Sequence, residues 1–89
     1  MRILVTPSFA RRAKRLHANQ KKSLDKAIRA IVDDVAIGKE NVGDLVGVHI
    51  YKFSQGNEKW LLAYRVVSNK EIKLLIFGPH ENFYRDLKQ

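Results

Sequence analysis

Cysteine is absent from this 89-residue chain, which excludes both a disulfide framework and a thiolate zinc site. A small domain without those staples relies on packing or on a bound partner. The five glycines occur singly and there are only two prolines, so there is no linker, low-complexity tract, P-loop or dinucleotide fingerprint. No N-terminal apolar run has signal-peptide length, and none approaches the ~20 residues of a membrane span. The expectation is a cytoplasmic protein forming one domain over residues 1–89, too short for two independent cores. Three scattered histidines and no close-set carboxylates give no zinc or two-metal site, and no cofactor is expected. His17 and Ser23 stand near basic residues, but nothing builds a nucleophilic triad around them.

Positive charge is what the chain has in excess. The net charge is +8, and nine basic residues crowd into positions 1–29 (Arg2, Arg11, Arg12, Lys14, Arg15, Lys21, Lys22, Lys26 and Arg29), where Asp25 is the one acid. The remaining charges cancel. Such a concentration points to an anionic partner, either nucleic acid or an acidic protein segment, or else to a solvated basic helix that aids solubility. With 45% hydrophobic residues, the chain can bury a modest core.

Arg2 to Val5 reads as a short strand, and Thr6 can cap a helix starting on Pro7. Phe9, Ala13 and Leu16 form its apolar stripe. Leu24, Ile28, Ile31 and Val35 make a second stripe that ends at Gly38, a suitable residue just past a helix. Val48 to Phe53, Trp60 to Val67 and Ile72 to Phe77 have strand character and are joined by short turns, and Gly78-Pro79 stops the third. His80 to Gln89 can add one or two helical turns, with Phe83 and Leu87 facing the sheet. The expected class is α+β in the order β-α-α-β-β-β with a final α, a helical hairpin packed on a small antiparallel twisted sheet.

The sequence is most specific in the run from Gly78 to Lys88, which sets a His, a Tyr, an Arg and a Lys just past a strand end. Metal-free RNA cleavage needs a base for the 2′-hydroxyl, an acid for the leaving oxygen and cations on the phosphate. His80 can serve as acid or base. Tyr84 can share the proton transfer or stack on a base, and Lys52, Arg65 and Arg85 can hold phosphates. Equally, His80 can cap the strand end and Tyr84 can pack as core.

Two segments carry a family resemblance. Val48-His49-Ile50-Tyr51-Lys52-Phe53 with Trp60-Leu61-Leu62-Ala63-Tyr64-Arg65-Val66, and the Gly78-to-Lys88 run, resemble the central strand pair and closing strand end of the RelE/ParE superfamily of bacterial toxin–antitoxin toxins. The resemblance implies a microbial-RNase-like fold. It also implies a metal-independent endoribonuclease that cuts mRNA, often on the ribosome, and so inhibits translation, with an antitoxin protein encoded beside it. By the same resemblance Lys52 falls where a family lysine contacts the RNA backbone, His80 on a catalytic Arg or His, and Tyr84 on the terminal Tyr.

The implied catalytic set is His80, Tyr84 and Arg65, and the implied RNA-binding set is Lys52, His49, Arg85, Lys88, Arg11, Arg12 and Arg15. The chain departs from the family pattern at two positions. Ser54 stands where ribosome-dependent members have a second lysine, and Leu61 where they have a strand arginine. Those losses keep two other readings open: a ParE-like inhibitor of DNA gyrase, and a non-catalytic basic module that binds RNA or an acidic protein.

Overall fold

In the computed structural model, residues 1–40, 47–81 and 83 are described. Strand β1 (Arg2–Val5) leads into α1 (Pro7–Lys14), then α2 (Ala18–Asp33), a two-residue strand β2 (Lys39–Glu40) and three longer strands, β3 (Val48–Gln55), β4 (Glu58–Ser68) and β5 (Glu71–Pro79). His80 and Glu81 begin a helical turn. Its expected continuation through Leu87 to Gln89 lies outside the described residues. The strands form one sheet in the order β1-β5-β4-β3-β2, so the α+β class holds and the expected β-α-α-β-β-β order is kept, with the two-residue β2 added before the three long strands.

The sheet is mixed where an antiparallel one was expected. Strands β2 to β5 pair antiparallel, but β1 runs parallel to β5, with Arg2 opposite Glu71 and Val5 opposite Leu74. A chain that leaves β1 through two helices is not bound by hairpin geometry, so a parallel edge pairing is open to it.

Local chemistry explains both helix starts. Thr6 is extended, Pro7 occupies the first helical turn, and the Thr6 hydroxyl accepts from the Phe9 N–H at 3.0 Å. That hydroxyl also donates to the Leu75 carbonyl at 2.7 Å. Strand β1 ends at Val5, and side chains then meet the β5 edge beyond it: the cap Thr6 on Leu75, and Arg12 of α1 through Nη1 on the Phe77 carbonyl at 2.8 Å. We expect Thr6→Val to lower unfolding free energy by about 1–2 kcal/mol in urea titrations, since it removes a cap and strands a carbonyl. At α2, the His17 N–H donates to Gln20 Oε1 at 3.2 Å.

Helix α2 ends at Asp33, well short of Gly38. Asp34 is extended, and its carboxylate accepts from the Ala36 N–H at 3.1 Å. Gly38 is a point of close approach: its N–H donates to Tyr64 Oη at 2.9 Å, and a Cβ there would stand 2.8 Å from the Tyr64 ring. The Tyr64 hydroxyl in turn donates to the Val35 carbonyl at 2.7 Å.

The sheet has an apolar cluster on each face. Beneath the helices, Phe9, Leu24, Ala27 and Ile31 pack on Trp60, Leu62, Tyr64, Ile72, Leu74 and Phe77. On the opposite face Val48, Ile50, Leu61, Ala63 and Ile76 cluster with Phe83. A register shift between Ala63 and Tyr64 leaves Leu75 as an extra residue in β5. This bulge turns Ile76 away from the helices and Phe77 toward them, which strict alternation from Leu74 would reverse.

Candidate functional site

Cross-strand register determines which candidate side chains can meet. Lys52 on β3 lies opposite Leu61 on β4, which lies opposite Gly78 on β5. At the usual interstrand spacing this row spans roughly 10 Å. Leu61 belongs to the cluster on the helix-free face, so parity sets Lys52 on that face too, where it is exposed. Ser54, two residues beyond Lys52, pairs with Lys59, and Lys59 Nζ donates to Ser54 Oγ at 3.3 Å. Lys52 and Lys59 are therefore diagonal neighbours about 7–8 Å apart. An ammonium thus reaches the neighbourhood of Ser54.

His80 follows directly on the Pro79–Trp60 pair and is exposed. It lines a hollow of about 260 Å³ with Glu58, Lys59, Pro79 and Glu81. One end of the sheet, at the β3–β4 turn, thus gathers two ammonium groups, an imidazole and two carboxylates. Such a set can hold phosphate oxygens and move protons.

Other expected members lie elsewhere. Arg65 pairs with Val48 and Lys73, and its guanidinium stands 2.8 Å from where a Gly47 Cβ would be. Four residues of strand separate it from Leu61, about 13 Å, so the structure does not bring it to His80. His49 is three residues from Lys52 and points to the opposite face, its ring stacked on Tyr64 at 5.2 Å with Nδ1 buried and unpartnered. Arg11 and Arg12 on α1 and Arg15, which caps its C-terminus, lie around a hollow of about 150 Å³ that also includes Ser8. Tyr84, Arg85 and Lys88 lie outside the described residues.

Lys59, Glu58 and Glu81 were missed in the sequence. For Lys59 a signal existed, since it shares the parity of Leu61 and the tight turn sets it against Ser54. Nothing local marks the carboxylates. Among the described residues, the centre of the helix-free face is apolar, with Leu61 and Phe83 each 1% exposed. No three His, Asp or Glu side chains converge as metal ligands among the described residues, and no helix among them is long and apolar enough to cross a membrane.

A family model described as the ParE-like toxin of type II bacterial toxin–antitoxin systems matches residues 3–88. No curated protein matches the chain. A match over nearly the whole length agrees with the order of elements and with the RelE/ParE resemblance of the strand segments, and it implies an antitoxin protein as partner. The chain belongs to the ParE-like toxins of type II bacterial toxin–antitoxin systems.

Proposed function

We propose that this toxin is a metal-independent endoribonuclease that cuts mRNA and so blocks translation, working at the β3–β4 end of the sheet. The observation that carries the reading is the grouping of His80 and Lys59 around one hollow with Lys52 diagonally beside it. In the proposed reaction the RNA's own 2′-oxygen attacks the adjacent phosphorus and loses its proton to a base, for which Glu58 and Glu81 are at hand. His80 gives a proton to the departing 5′-oxygen, with Tyr84 assisting. The products are a 2′,3′-cyclic phosphate and a 5′-hydroxyl. Lys52 and Lys59 offset charge on the phosphorane-like transition state, a task for which Arg65 is too distant.

Cleavage by the purified toxin should persist in EDTA, and a substrate with a 2′-deoxy residue at the scissile position should resist it. Lys52→Ala should weaken RNA binding and reduce the slope of log affinity against log salt by about 1, as loss of one phosphate contact does. Filter binding over a salt series reads this directly.

Leu61 favours a second reading. It is 1% exposed and apolar where, by the resemblance, ribosome-dependent members have a strand arginine, which suits a ParE-like toxin that binds DNA gyrase without cutting RNA. Purified toxin that leaves mRNA intact, with and without ribosomes, while blocking gyrase supercoiling would replace the nuclease reading with this one.

A further inference from the structure

Between α2 and β3, on the helix side of the sheet, is another hollow, of about 340 Å³, lined by Ser23, Lys26, Ala27, Ala30, Tyr51 and Phe53 among others. Small-molecule sites begin at roughly 300 Å³. Ala27 and Ala30 leave the space open, because neither side chain reaches beyond its Cβ. Tyr51 and Phe53 lie opposite Leu62 and Trp60 of the helix-side cluster. Their half-buried rings are within 12° of parallel, with centroids 6.3 Å apart. Strand β2 pairs with β3 at His49 and Ile50, and among the described residues no strand runs beside Tyr51 to Gln55, so the aromatic pair stands at an open edge of the sheet. The rim is cationic. Lys26 also lines an adjoining hollow of about 240 Å³ with Lys22, Asp25 and Arg29, three cations against one carboxylate. Lys52 sits between the two aromatic residues in the chain and, by strand alternation, points to the other face. A single strand of RNA passing over the β3 edge would therefore meet ammonium groups on both faces and two aromatic rings beside them.

We propose that this hollow is a nucleobase subsite for RNA, in which a base flanking the scissile nucleotide stacks against Tyr51 and Phe53 while its phosphate lies on Lys26. The proposal rests on RNA being the substrate, as read above. Aromatic rings combined with flanking cations are the chemistry by which single strands are held, the rings taking the flat bases and the ammonium groups the phosphates. A second copy of the chain would bring another net +8 against the same lysines. An acidic peptide would answer the lysines alone, whereas a base also uses the aligned rings. The subsite lies on the opposite face of β3 from Lys52, so it adds contacts that the cleavage end does not contain.

Short 2′-O-methyl oligonucleotides of adenine or uracil cannot be cut and so report binding alone, read by fluorescence anisotropy on the purified toxin. Oligo-adenine should bind more tightly than oligo-uracil, because a purine has the larger stacking face. Tyr51→Leu and Phe53→Leu keep an apolar side chain in place. Each should weaken oligo-adenine binding about tenfold, narrow the preference for adenine and leave the salt dependence unchanged, whereas Tyr51→Phe should bind as the wild type does. Lys26→Ala, on exposed helix surface, should weaken both oligonucleotides alike and lower the slope of log affinity against log salt by about 1. In the wild-type toxin an oligonucleotide carrying 5-iodouracil should cross-link under irradiation to Tyr51 or Phe53, a readout independent of how any variant folds. Cross-links that map only to other residues, leucine variants that bind both oligonucleotides at wild-type strength, or no binding of either oligonucleotide would each overturn the subsite. It is also overturned if the leucine variants lose affinity for the antitoxin and not for RNA. If only the subsite fails, cleavage of mRNA persists at the wild-type rate in the leucine variants. Toxin that cross-links through Tyr51 yet leaves mRNA intact would sustain the subsite and remove the cleavage reading.

Discussion

A toxin carrying His80→Ala should fold as the wild type does and lose growth arrest, with RNA cleavage slowed roughly 10²–10⁴-fold, the usual cost of removing a positioned general acid. The side chain is exposed, so its removal takes nothing from either apolar cluster, and thermal melts should coincide. His80→Gln, which keeps a hydrogen-bonding group but cannot deliver a proton at neutral pH, should be as inactive as the alanine variant. Tyr84→Phe should also abolish cleavage and arrest. If either glutamine or alanine at position 80 cuts RNA within about tenfold of wild type, proton transfer by the imidazole is not part of the reaction. If either C-terminal substitution unfolds the domain, those residues are core and the proposed chemistry loses its acid.

The second large effect concerns stability. Tyr64→Phe leaves the ring in place but removes the hydroxyl that donates to Val35 and accepts from Gly38. Both backbone groups then lack their partner, at about 1–3 kcal/mol, which in a domain of this size lowers the melting temperature by very roughly 4–20 °C. Gly38→Ala should destabilise comparably by a different route, since its Cβ would stand 2.8 Å from a fully buried ring. Burial raises the Tyr64 pKa above its ordinary value; the Gly38 N–H opposes the shift and Asp34 adds to it. A raised folded-state pKa means that the contribution is complete below the unfolded-state value, ~10, and is lost as pH rises through the folded-state value. Alkaline unfolding should therefore lose that component in Tyr64→Phe. An unchanged alkaline midpoint would show that lysine titration governs it.

Sequence patterns with a short period were legible. The stripe of Phe9, Ala13 and Leu16 and the alternation from Val48 to Phe53 each express one residue-scale repeat, and the cap at Thr6 is written in adjacent residues. Gly38 was misread because its real partner, Tyr64, is 26 residues away, and the demand for a missing Cβ is a tertiary fact. Strand β2 is too short for any period, and the parallel partner of β1 has no local mark. At the site, the spacing of three between His49 and Lys52 already sets them on opposite faces, and the ~13 Å between Arg65 and Leu61 follows from strand rise alone. What the sequence could not supply was the meeting of Glu58 with Glu81 across the β4–β5 pair, which depends on how the last strand ends.

Strand β1 pairs with the final strand, and the start of α1 is tied to that strand too: residues 2–5 pair with 71–74, and Thr6 and Arg12 bond to the carbonyls of Leu75 and Phe77. During synthesis the first strand therefore has no edge to pair with until the end of the chain has been made, an interval of roughly 3–13 s at ordinary elongation rates. Contacts this far apart in sequence also slow the closing step itself. A ribosome stalled or terminated before β5 releases a chain whose first strand cannot be fixed. Only completed translation yields the whole sheet, so truncated products of the gene should be proteolytically fragile and harmless.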